Sequence, residues 1–234
     1  MLKFLFLHQM SSAIYFRIFG QTVALGLHGV NSVVMLYSMQ DQVLMRDPEI
    51  KQMTDMMSVY LTVWNVFFVL LYFSVALVCD ASAVTNTDHH LLKSVRRFRH
   101  TLFSVFFLIF ELFWPLFIYD RCLIFPAFID KIFSFKSNLV LHGSILPLAL
   151  WELMFLPRTV PKTHAKNLTI LALYYFTYNG NGVFPYPIYY MMYGTIYLYV
   201  FQIMALFMFY FNYKLQWRLT TLVWGDYKIK SKHY

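Results

Sequence analysis

Thr62, His142 and Asn138 are the residues of this chain whose types and spacing can do chemistry together. A threonine hydroxyl is a weak nucleophile until a base accepts its proton, and a neutral imidazole about 3 Å away is the commonest such base. Asn138 lies one helical turn before His142 on the same face, where its carboxamide can hold the imidazole tautomer or bind substrate. Asn65 shares the helix face of Thr62 and can donate to a developing oxyanion. Asp120 can orient the base if its loop folds back, and Arg121 beside it can contact substrate; the pair reads equally as an interfacial ion pair. Glu152 is excluded, because the helix between it and His142 spans about 15 Å.

Each residue also has a structural reading. Hydroxyls in membrane helices usually bond the carbonyl one turn back, and a buried histidine can simply bond a neighbouring helix. An ionisable group inside an apolar span is costly and by default functional, which gives His142 more weight than Thr62 on residue type alone. No Gly-x-Ser-x-Gly elbow, His-Glu-x-x-His motif, Walker loop or dinucleotide fingerprint occurs. His89 and His90 sit in a basic stretch, with Asp88 the one adjacent carboxylate and no thiolate nearby, and read as solvated.

The elements that must position these groups are membrane helices. Of 234 residues, 59% are hydrophobic, 21% aromatic and only 13% charged, far more apolar surface than a soluble domain of this length can hide. Several apolar runs approach the roughly 20 residues needed to cross a bilayer core, and they are continuous rather than alternating, which favours a helix bundle over a barrel. Six spans are expected: Ile18–Ser38, Ser58–Cys79, Thr101–Tyr119, Asn138–Leu156, Asn167–Val183 and Tyr190–Tyr213. The stretch Met39–Met57 reads as a short exposed loop, and Met1–Gln9 as retained chain without a cleavage site.

The net charge of +8 could suggest nucleic acid, but the basic residues fall in connections between spans. About 14 of the 19 lysines and arginines collect on one side, which places both termini in the cytosol and makes residues 214–234 a basic cytosolic tail on a single integral-membrane domain, 1–234. Cys79 and Cys122 then lie at opposite faces, so no disulfide joins them. Thr62, the Tyr119-Asp120-Arg121 turn, His142 and the Asn179–Gly182 turn share the opposite, lumenal or exterior side. Thr62 and His142 each enter about four residues into a span, roughly 6 Å deep, so they can meet if spans two and four are neighbours. Pro147 cannot donate to the Gly143 carbonyl, so a bend is expected beside His142.

Between Trp114 and Pro161 the chain resembles the androgen-induced and androgen-dependent TFPI-regulating protein family, through Trp114, Tyr119-Asp120-Arg121, Ile124-Phe125-Pro126, Asp130, Asn138, His142, Leu146-Pro147, Glu152 and Pro161. Two further stretches match, Tyr60-Leu61-Thr62 through Asp80 and Gly182-x-Phe184-x-Tyr186-Pro187. The resemblance implies polytopic membrane hydrolases of fatty acid esters of hydroxy fatty acids, with the family's threonine nucleophile on Thr62 and its essential histidine on His142. It departs where Asn65 replaces an aspartate, Phe184 a tryptophan and Leu139 a nearby histidine of relatives.

The expectation is therefore an all-α polytopic bundle acting as a carboxylic ester hydrolase, with Thr62 and His142 catalytic and Asn65, Asn138, Asp120 and Arg121 supporting or binding substrate. No metal or cofactor is called for, and the partners expected are a lipid ester and membrane lipids, not nucleic acid. The alternative is a non-catalytic lipid-binding or regulatory multi-pass protein. Lys230 and Lys232 near the end resemble a dilysine retrieval signal for the endoplasmic reticulum, the cell membrane being the alternative location. Asn167-Leu168-Thr169 fits a glycosylation acceptor, expected on the cytosolic side and unmodified.

Overall fold

The computed structural model describes residues 2–85, 106–155, 184 and 186–224. Its regular elements are all helical: α1 (Leu2–Ser38), α2 (Pro48–Asp55), α3 (Leu61–Val84), α4 (residues 106–120), α5 (Phe135–Asn138), α6 (Ile145–Phe155), α7 (Pro187–Met192) and α8 (Ile196–Trp224). Among the described residues, four stretches are long and apolar enough to cross a membrane: Ala13–Ser38, Leu61–Val84, Phe135–Phe155 and Ile196–Trp224. Of the other two expected spans, Thr101–Tyr119 is helical where described, and Asn167–Val183 lies outside the described residues, as do the tail lysines and the Asn167 acceptor.

The packing buries polar side chains among apolar ones and turns large apolar side chains outward. On α1 the buried face reads Gln21, Ala24, His28, Asn31 and Met35; on α3 it reads Asn65, Val69, Tyr72, Ala76 and Cys79. Both follow the alternating three-and-four spacing that keeps one helical stripe against a neighbour. The opposite faces expose Phe19, Val30, Val33, Phe67 and Val78, as α8 exposes Ile203, Phe207 and Leu222. Large apolar groups turned outward around a stripe of amides and an imidazole fit a bilayer, which leaves polar groups only the helix interfaces to satisfy them.

α1, α3, α4 and α6 share one apolar core through Ala24, Val69, Phe73, Phe106, Ile145 and Leu153. Gly20 permits the tightest approach: a Cβ there would stand 2.5 Å from the Trp151 indole, which donates from Nε1 to the Phe16 carbonyl at 3.1 Å. At one end Arg17 grips Asp80 through Nε (2.9 Å) and Nη2 (2.8 Å), Gln21 adds Nε2 at 2.7 Å, and Arg17 Nη1 reaches the Phe155 carbonyl at 3.1 Å. That network ties α1, α3 and α6 at the end opposite α2.

The Met39–Met57 stretch is not an exposed loop. Asp47 caps α2 by accepting from the Glu49 N–H at 3.0 Å, and Pro48 supplies the fixed φ favoured at a helix start. Ile50 and Met53, one turn apart, are buried in a second core with Met35, Phe113, Phe125, Ile129 and Leu141. Lys131 reaches across from the loop after α4 and bonds Asp47 at 2.6 Å. Its ammonium is the main reason the Asp47 carboxyl lies below its ordinary value, and the Lys131 pKa is raised in return. Arg46, Asp55 and the other charges of the stretch thus flank a small amphipathic helix that closes this end of the bundle.

The segment Phe135–Phe155 carries the bend expected at Pro147, but in a different form. After α5, capped by Ser134 Oγ accepting from the Ser137 N–H at 3.2 Å, Leu139–Gly143 forms a π turn, with the Ser144 N–H bonded to the Leu139 carbonyl at 3.0 Å. Pro147 can donate to neither Gly143 nor His142, and the Trp114 indole instead donates to the His142 carbonyl at 3.1 Å. A π turn inserts one extra residue and re-aims the side chains that follow.

Candidate active site

Thr62 is the second residue of α3, two positions after Tyr60, whose extended backbone (φ −77°, ψ 126°) starts the helix without a side-chain cap. His142 is the fourth residue of the π turn. The two elements bring Thr62 Oγ1 to 3.2 Å from His142 Nε2. On the other side of the ring, Nδ1 stands 2.8 Å from Asn138 Oδ1. A carboxamide oxygen only accepts, so Nδ1 carries the proton and Nε2 turns a lone pair toward the threonine hydroxyl. The order Thr–His–Asn parallels Cys-His-Asn constellations, in which a neutral amide rather than a carboxylate fixes the base.

Apolar walls hold the ring in place. Phe113 stacks on the imidazole with centroids 3.6 Å apart and planes 8° from parallel, and His142 is 3% exposed. Gly143 leaves room beside it, since a Cβ would meet Leu139 Cδ1 at 2.7 Å and Trp114 Cζ2 at 3.4 Å. Thr62 and His142 border a cavity of about 40 Å³ with Phe113, Leu116, Ile124 and Tyr189. A larger one of about 150 Å³ lies alongside, walled by Met53, Met56, Tyr60, Ile124, Phe184 and Tyr190. Ile124 borders both.

Sequence reasoning placed Thr62, His142 and Asn138 at one site, and the structure brings these three together. Asn65, fully buried, donates from Nδ2 to the carbonyl of Leu141, the residue before His142, at 3.4 Å and so braces the π turn. Asp120 does not reach the imidazole, whose Nδ1 faces Asn138; its Oδ1 accepts the Cys122 N–H at 2.9 Å and caps the turn Arg121–Leu123. Arg121 pairs with Asp130 at 2.6 Å rather than with Asp120, and its guanidinium lies over the Phe117 and Phe125 rings at 5.7 and 5.2 Å. Both shape the rim. Glu152 is buried on α6, away from the site.

Tyr186 was missed as a site residue. It precedes Pro187 at the start of α7 and puts its hydroxyl 3.3 Å from Thr62 Oγ1 and 3.4 Å from the Thr62 N–H. Burial is the first cause of its raised pKa, so the phenol stays protonated. Tyr60 meets its ring edge-on at 5.4 Å, and burial with the neighbouring Tyr186 and Tyr190 pushes the Tyr60 pKa up to about 12. The signal for Tyr186 was its place in the Gly182-x-Phe184-x-Tyr186-Pro187 match, which hydropathy alone reads as a turn.

Residues 23–220 match the model of the FAR-17a/AIG1-like protein family, a range containing every residue of this site. The androgen-dependent TFPI-regulating protein of Mus musculus is 32% identical over 145 residues, covering 55% of this chain. The Homo sapiens protein of that name is 28% identical over 142 residues, or 56% of this chain. In each case the match spans 61% of the relative's own length. No solved structure matches. The match runs from α1 into α8 and so takes in the helices that carry Thr62, Asn138 and His142 together with Tyr186; the chain belongs to the FAR-17a/AIG1-like family.

Proposed function

We propose that this chain hydrolyses carboxylic esters of lipids, with Thr62 as nucleophile and His142 as general base. The observation carrying the reading is the 3.2 Å approach of Thr62 Oγ1 to His142 Nε2 while Nδ1 is held by Asn138, beside an apolar cavity at a helix entry. Thr62 Oγ attacks the ester carbonyl carbon as its proton passes to Nε2. The imidazolium returns that proton to the departing alkoxide, the ester C–O bond breaks, and the acyl group remains on Thr62. Nε2 then takes a proton from water, the hydroxide attacks the acyl carbonyl, and the acid leaves as the proton returns to Thr62 Oγ.

The substrate class implied by the resemblance, fatty acid esters of hydroxy fatty acids, suits the surroundings. Its two long arms would meet the apolar walls of the two cavities, which share Ile124. A cavity of about 40 Å³ admits a few waters and no acyl chain, so side chains of its wall rearrange as an ester enters. The reaction as written needs no metal or cofactor. A six-span topology with cytosolic termini and residence in the endoplasmic reticulum membrane complete the proposal.

The test is hydrolysis of such esters by membranes holding wild type, Thr62→Ala or His142→Ala. Loss of turnover in both variants is expected; full turnover in either removes that residue from the mechanism. Wild-type membranes that bind the ester without cleaving it would favour the non-catalytic lipid-binding reading.

A further inference from the structure

The Thr62–His142–Asn138 set leaves one requirement of ester cleavage unmet. As Oγ attacks, negative charge develops on the carbonyl oxygen, and a donor must wait about 3 Å from where that oxygen will lie. His142 Nε2 is occupied with the transferred proton, and the Asn65 amide donates to the Leu141 carbonyl. We propose that the Tyr186 hydroxyl and the Thr62 backbone N–H form the oxyanion hole of this site, which makes Tyr186 a third catalytic residue; the inference rests on the hydrolase reading above.

Three observations carry it. The Tyr186 oxygen touches the reacting atom, Oγ1, at 3.3 Å, and the Thr62 N–H at 3.4 Å. Thr62 lies in the first turn of a helix of 24 residues whose N-cap side chain makes no hydrogen bond, so its N–H has no partner within the helix and sits at the positive end of the helix dipole. The phenol is also held from two sides, by Tyr60 edge-on at 5.4 Å and Tyr189 at 6.4 Å, so its oxygen is placed before substrate arrives.

The hydrogen-bond directions agree. At rest the Thr62 N–H donates to the Tyr186 oxygen, the Tyr186 O–H donates to Thr62 Oγ1, and the Thr62 O–H donates to His142 Nε2. When a carbonyl enters, the Tyr186 O–H turns from Oγ1 to the carbonyl oxygen and the Thr62 N–H follows. Rotation of one hydroxyl frees the lone pair that Oγ needs for attack. Tyr186 keeps its proton throughout, as its raised pKa allows, and serves only as a donor.

Tyr186→Phe preserves the ring contacts and removes only the hydroxyl. The expected result is a fall in kcat of about 100-fold with KM within about twofold. A trifluoromethyl ketone that adds to Thr62 as a tetrahedral alkoxide should lose affinity by the same factor, while a non-cleavable ether analogue of the substrate binds as to wild type. Fluorotyrosines at position 186, which keep the hydroxyl and acidify it, should change kcat in step with phenol acidity. A kcat within threefold of wild type in Tyr186→Phe, or a kcat indifferent to phenol acidity, overturns the assignment. Loss of turnover in Thr62→Ala alongside an active Tyr186→Phe sinks the oxyanion role alone, whereas full turnover in Thr62→Ala sinks the hydrolase reading beneath it.

Discussion

Two buried polar networks occupy opposite ends of the same α1–α3–α6 bundle, and they are built differently. At one end Asp80 receives three short hydrogen bonds from Arg17 and Gln21, all between 2.7 and 2.9 Å, two of them from one planar guanidinium. At the other, Thr62, His142, Asn138 and Tyr186 are formally neutral, their contacts to Thr62 run from 3.2 to 3.4 Å, and a cavity opens beside them. Among the described residues, buried atoms without a hydrogen-bond partner occur at both ends: Gln21 Oε1 in the clamp, and Asn138 Nδ2, Asn65 Oδ1 and His28 Nδ1 near the site, where His28 Nε2 is engaged with Ser144 Oγ at 3.0 Å. A network of short, charge-assisted hydrogen bonds resists change and serves as a clamp. A neutral network with spare donors and acceptors can exchange partners, as proton transfer requires.

Substitutions should separate the two. The largest effect is expected at the site: Thr62→Ala and His142→Ala should each lower kcat by at least about 10³-fold in ester turnover, and Thr62→Ala should do so with thermal unfolding in detergent nearly unchanged. The clamp should answer in the opposite way. Arg17→Ala removes two of the short hydrogen bonds to a carboxylate that is 6% exposed, and a stability loss of about 3–5 kcal/mol is expected. Arg17→Met with Asp80→Leu should recover most of it with hydrolysis retained, because removing both charges leaves no buried carboxylate short of its cation.

A smaller loss, about 10²-fold in kcat, is expected for Asn138→Ala, which frees the imidazole to rotate and shift tautomer. Asp47 with Lys131 should give the smallest effect, since both groups are exposed and screened by solvent. The depressed Asp47 pKa stabilises the α2 attachment above the ordinary carboxylate range, and that contribution is lost as pH falls through the lowered value. The raised Lys131 pKa stabilises it below the ordinary lysine range and is lost as pH rises through the raised one. Hydrogen-exchange protection in α2, corrected for the intrinsic exchange rate at each pH, should therefore be flat near neutral pH and fall slightly at both extremes, a profile that Lys131→Ala abolishes.

Much of this was legible in the sequence where the interaction is local. Asn138 and His142 stand one turn apart, so their pairing follows from helical spacing alone, and Thr62 and His142 were placed at equal depth by counting from span ends. What escaped is long-range or hidden by averaging. Tyr186 is 124 positions from Thr62, and Arg17 is 63 from Asp80. The α2 helix looked like a loop because its charges outnumber its two buried residues, Ile50 and Met53. The polar stripe of Gln21, His28 and Asn31 is diluted in hydropathy by the outward residues between them. Pro147 announced a break, but the π turn depends on where Trp114 and Asn65 find backbone carbonyls to bond, which no local pattern records.

The measurement closest to the central claim is peptide mass spectrometry of membranes treated with a lipid-like fluorophosphonate. Covalent modification is expected on the peptide containing Thr62, at the threonine itself, absent from Thr62→Ala and strongly reduced in His142→Ala. A probe that labels another residue at full stoichiometry, or labels Thr62→Ala as well as wild type while ester turnover continues, would contradict Thr62 as the nucleophile.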